Sequence, residues 1–168
     1  YFKYGRSICI LRVIFFMKEY CTKNNPSYNE LDGIDGGITM IIEIRAKNIY
    51  AFLDEVRFSM KADMRNKRFA SNVHMENNFN VLKSVGVYGP NNAGKTCLVR
   101  CISVIKYALL NQKTVMMSNM FNEDPVCELG VTFLNDGKKY SYDFRYDTES
   151  NEYTYERFSQ MEKDQYGN

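Results

Sequence analysis

The run Val85-Gly86-Val87-Tyr88-Gly89-Pro90-Asn91-Asn92-Ala93-Gly94-Lys95-Thr96 sets the interpretation of everything around it. It fits GxxxxGK[ST], the Walker A pattern, with Gly89, Gly94, Lys95 and Thr96 in the fixed places. Two residues without side chains let the backbone close into a concavity whose N–H groups converge on phosphate oxygens. A helix opening at Gly94 adds its positive end to the same point. In that arrangement Gly89, Pro90, Asn91, Asn92, Ala93 and Gly94 line the cradle. Lys95 neutralises the β- and γ-oxygens, and the Thr96 hydroxyl coordinates a Mg²⁺ that keeps most of its waters. With glycine at about 7% of residues, chance places these four residues at these offsets in on the order of 1% or fewer of chains this long.

The flanks have the required context. Val81 to Tyr88 predicts the strand that delivers the loop. Leu98, Cys101, Ile102, Ile105 and Leu109 recur at helical spacing, predicting a helix from about Gly94 to about Leu110 with one face on a sheet. Upstream, Ile42, Ile44 and Ala46 alternate with Glu43, Arg45 and Lys47, and Val56, Phe58 and Met60 repeat that pattern, which predicts a β-hairpin. Lys61 to Asn80 is polar and aperiodic. Its Lys61, Arg65, Lys67 and Arg68 near Phe69 could meet phosphate, but a loop of this kind is more often merely solvated, and His74 has no implied catalytic partner. Downstream, Cys127, Leu129, Val131 and Phe133 alternate, Asn135-Asp136-Gly137 makes a turn, and Tyr140, Tyr142, Phe144 and Tyr146 alternate again. A second turn around Thr148 to Asn151 leads to Glu152 to Ser159. This is an antiparallel meander with a tyrosine-covered face, which favours cross-strand packing over base stacking.

The chain has 168 residues, 45% apolar and 14% aromatic, enough for the core of one domain; a net charge of +2 does not by itself argue for nucleic acid or an acidic membrane. The five cysteines form no CxxC pair, and with a single histidine there is no zinc pattern. Cys97 and Cys101, four apart on the apolar face of the helix, read as small hydrophobes in a reducing cytoplasm. The longest apolar run, Ile8 to Met17, is interrupted by Arg12 and far short of the roughly 20 residues of a membrane span. Residues 1–39 lack any amphipathic pattern, and Gly36-Gly37 precede Met40 as a translated ribosome-binding site would. Met40 is therefore the expected native start, residues 1–39 an in-frame extension with weak order, and residues 40–168 the N-terminal part of a nucleotide-binding domain. The alternative is a genuine extension whose Ile8 to Met17 forms a strand or short helix.

The acidic strand that triphosphate hydrolysis needs is missing. Val131-Thr132-Phe133-Leu134-Asn135-Asp136 imitates one, but Gly137 makes it a hairpin turn. One strand-loop-helix unit is visible where a parallel sheet needs several. The expected fold is therefore α/β, a partial P-loop NTPase with an antiparallel meander beside that unit.

The succession of hairpin, polar loop, Val87 to Thr96, helix and aromatic meander, with Gly89-Pro90-Asn91 its most specific part, resembles the N-terminal lobe of ABC-type AAA ATPase heads. The relatives in view are those akin to SMC and RecF and those of abortive-infection phage defence. Asn48 and Phe52 look like the ends of that family's Asn-Phe-Arg-Ser-Phe segment, while Ile49, Tyr50 and Ala51 depart from it. The resemblance implies ATP and Mg²⁺ as cofactors, sandwiched between two heads of a homodimer, with closure coupled to DNA or to a nuclease partner. It implies that Lys95 acts in catalysis only in the complete, dimerised protein, so this chain alone is not expected to hydrolyse ATP. A small-molecule kinase or another phosphotransferase on the same loop, or a non-enzymatic fragment, are the alternatives. The Asn-Lys-x-Asp motif of GTPases does not occur.

Overall fold

The computed structural model describes residues 9–11, 39–65, 68–110, 115–135 and 137–161. The elements in chain order are β1 (Cys9–Leu11), β2 (Thr39–Lys47), β3 (Val56–Ser59), β4 (Val73–Glu76), β5 (Phe79–Leu82), β6 (Val85–Val87), α1 (Lys95–Leu109), β7 (Val126–Asn135), β8 (Lys138–Asp147) and β9 (Glu152–Met161). Among the described residues the architecture is mixed α/β: one α-helix against antiparallel strands. The main sheet has the order β3-β2-β7-β8-β9, every neighbour antiparallel; β1 pairs with β6 and β4 with β5.

Alternation of side chains explains how this sheet has a dry face and a wet one. Ile44 lies opposite Val131 and Ala46 opposite Leu129; across the next ladder Val131 meets Tyr142 and Leu129 meets Phe144. All are buried, and α1 lies over this face through Leu98, Cys101, Val104 and Ile105. Tyr142, Phe144 and Tyr146 are thus packing residues. Phe144 contacts Tyr142 at 5.4 Å and Tyr153 at 5.6 Å between ring centroids. The expected hairpin, helix and meander are all present, with the helix flanked by Gly94 and Leu110 at the expected ends.

Two expectations need correction. Val81 to Tyr88 is not one strand: Val81 and Leu82 belong to β5, and only Val85–Val87 deliver the loop. The break comes from Asn72, whose side chain accepts from the Ser84 backbone N–H at 3.0 Å and donates to the Ser84 carbonyl at 2.8 Å. Nor is Lys61 to Asn80 structureless. It holds the β4–β5 hairpin, closed by Asn77 and Asn78 at φ 47° and 70°, the two positive values that a type I′ turn requires. The signal was there, in an Asn-Asn pair between short apolar runs.

Cys9–Leu11 runs antiparallel to β6, and Thr39 already belongs to β2; the other residues up to 38, and with them most of the expectation for the N-terminal segment, lie outside the described residues. No described helix is long and apolar enough to cross a membrane.

Candidate functional site

The loop is positioned by two anchors. β6 brings the chain in half-buried, with the exposed Tyr88 ring folded back over Gly86. α1 carries it away, and its first hydrogen bond runs from the Leu98 N–H to the Gly94 carbonyl at 3.0 Å. Between them the backbone reverses in a turn in which the Ala93 N–H donates to the Pro90 carbonyl at 3.4 Å. Asn92 at φ 65° and Gly94 at φ 79° supply the left-handed steps.

Gly94 is fixed by sterics as well as by its dihedral. A Cβ there would stand 3.3 Å from the Phe52 ring, which sits against the underside of the loop. Phe52 itself is held by a short turn, Asn48 to Leu53, in which Ile49 and Phe52 exchange backbone hydrogen bonds at 3.0 and 2.9 Å. Asn48, buried and at φ 51°, donates its side-chain amide to the carbonyls of Asp124 at 2.6 Å and Val126 at 3.0 Å. Its oxygen accepts from the Asn119 N–H, and Asn119 in turn donates to the Tyr50 carbonyl at 2.9 Å. A polar latch therefore ties the turn beneath the loop to the chain after α1. Of the segment Met116 to Asn122, expected as gap-filling or mobile, Met116 and Asn119 are buried while Met117, Met120 and Phe121 are exposed.

Lys95 closes over its own loop, donating to the carbonyls of Gly89 at 2.8 Å and Pro90 at 2.6 Å. An ammonium has three protons, so a donor is left for a ligand. The helix N-terminus has no side-chain cap and no acidic residue in its first turn, so nothing within the helix competes for its positive end. Thr96 follows on the exposed side. Beside the loop lies an apolar groove of about 190 Å³ lined by Phe52, Arg57, Phe58, Val87, Ala93 and Gly94, among others. The described residues hold no cluster of histidine, cysteine and carboxylates able to bind a metal. A cation here would depend on Thr96, phosphate oxygens and water, a donor set that suits Mg²⁺.

The other candidates resolve into structure. Burial first, then neighbouring thiols, push Cys101 up to about 12, and burial does the same to Cys127, so both stay protonated and act as core residues. Cys97, one helical turn before Cys101, is half-buried. His74 lies beside Glu76 at 3.0 Å, and Arg65 grips Asp63 two residues before it. Lys67 and Asp136 lie outside the described residues. The wet face of the sheet holds a second concavity, about 360 Å³, in which Arg45 reaches Asp143 at 2.6 Å and Ser141 at 3.2 Å. It can do so because Gly130 stands between them in register; a Cβ there would overlap the Asp143 carboxylate. Lys47 and Arg145 pair with Glu128, leaving a balanced ion-pair ladder instead of an anion site. No protein-family model matches the chain, and no curated protein matches it.

Proposed function

We propose that Gly89 to Thr96 binds the phosphates of ATP, with Lys95 as the neutralising charge and Thr96 as the Mg²⁺ ligand, in an ABC-type ATPase head. The observation that carries this reading is the Lys95 ammonium. It is held at the mouth of an uncapped helix by two carbonyls of a loop with two left-handed residues. The groove beside the loop, with its two phenylalanines, is a place for the base and sugar. Hydrolysis, a second head and coupling to DNA or a nuclease in phage defence belong to the same proposal through the resemblance in sequence, and a cytoplasmic setting through the free cysteines.

Titration of a fluorescent ATP analogue into the full chain tests it. Lys95→Ala is expected to weaken binding on the order of 100-fold with an unchanged circular dichroism spectrum, the scale of losing hydrogen bonds from a charged group. Thr96→Ala should remove the Mg²⁺ dependence and leave metal-free binding in place. Equal affinity of Lys95→Ala and the parent would refute the proposal.

A further inference from the structure

Among the described residues β9 is one edge of the main sheet, opposite β3, and is exposed along nearly its whole length, with Phe158 60% accessible. An edge of this length offers a row of backbone donors and acceptors to another strand unless something blunts it. Here a bulge at Thr154 interrupts the pairing with β8, since Arg145 lies opposite Tyr155 and Tyr146 opposite Tyr153, but Tyr155 to Met161 is regular. The charges along this stretch already have neighbours in their own chain: Tyr142 donates to Glu156 at 2.5 Å, and Arg157 stands in register with Asp143. On the helix-side face, a row of stacked rings leads out to the edge and stops there. Phe133 to Tyr140 is 5.6 Å and Tyr140 to Phe158 is 5.7 Å, both pairs at 24°.

We propose that β9 pairs antiparallel with β9 of a second copy of this chain, about a two-fold axis at Phe158, making one sheet continuous across both copies. Symmetry fixes the choice. A two-fold perpendicular to the sheet pairs residues of the same face, so the axis passes through a residue of the regular stretch. Centred on Glu156 it would set Glu156 against its own copy, and centred on Arg157 it would oppose two guanidiniums. Like charges directly opposite are destabilising. Centred on Ser159, Gln160 or Met161 it shortens the ladder and leaves the rings unmatched, and centred on Tyr155 it runs into the bulge. Centred on Phe158, the ring meets its copy and continues the aromatic row. Arg157 then faces Ser159, Glu156 faces Gln160 and Tyr155 faces Met161, with no like charges opposed. A contact of one strand on one strand is small and belongs with weak, concentration-dependent interfaces.

Sedimentation of the full chain in EDTA, without nucleotide, tests this independently of the phosphate loop. Between about 5 and 200 µM, the range of weak association, the parent should move from monomer towards dimer. Phe158→Glu, at an exposed position, should stay monomeric with an unchanged circular dichroism spectrum. Gln160→Glu, facing Glu156 twice across the axis, should weaken association about threefold or more, and Gln160→Lys should strengthen it. A parent that is monomeric throughout the range leaves the edge to some other partner and overturns the proposal. So would assembly beyond a dimer, or a shift of the two Gln160 variants in the same direction.

Discussion

Gly94 and Asn48 show how single residues hold the loop in place. At Gly94 a methyl group would meet both a left-handed φ and the Phe52 ring. Gly94→Ala is therefore expected to lower stability by about 1–3 kcal/mol, read from the urea midpoint at constant slope. Asn48→Ala removes the buried amide that serves the carbonyls of Asp124 and Val126. Two unsatisfied acceptors should cost about 2–4 kcal/mol and expose the segment after α1 to protease. The two residues were not equally legible in the sequence. Glycine at a fixed offset in a Walker A pattern announces itself. Asn48 stood out only as part of a resemblance, because its partners are 76 and 78 residues further along and no local period links them.

Among the elements, those whose pattern is set by one face were readable, namely β2, β3, α1 and the meander, since burying one side of a strand or helix imposes a period of its own. The β4–β5 hairpin was missed because its strands are only four residues each and largely half-exposed, so that turn chemistry was the one remaining signal. The break at Lys83-Ser84 depends on a side chain 12 residues earlier, which an apolar run cannot reveal. Helix and sheet do not meet perfectly: a gap of about 60 Å³ remains between Ile102, Ile105 and Leu109 of α1 and Ile41, Ile44, Val131 and Phe133 of the sheet. Val131→Ile should place one more methyl group there and raise stability by about 0.5–1 kcal/mol, seen as a higher urea midpoint.

For the molecule as a whole, the buried thiols set an alkaline limit. Cys101 and Cys127 keep their protons in the folded chain up to about 12, whereas the ordinary value is 9.0. The folded value is the raised one, so this contribution is complete below pH 9 and is lost as pH climbs from there towards 12. The loss should approach about 1.4 kcal/mol per pH unit for each thiol. Urea melts at pH 8 and pH 10 should show the decline, and the stability gap between parent and Cys101→Ala should narrow over the same interval.

The order of strands has a further outcome during synthesis. β2 lies between β3, which follows it closely, and β7, which begins only at Val126, and the phosphate loop with α1 is made in between. At about 5–20 residues per second, a ribosome takes several seconds to supply that second neighbour. Throughout this interval β2 keeps one bare edge, and until α1 is made the nascent hairpin also presents Ile44 and Ala46 uncovered, a substrate for a holding chaperone. Translation paused before Val126 should leave the Walker segment open to protease, and release beyond Asn135 should close it.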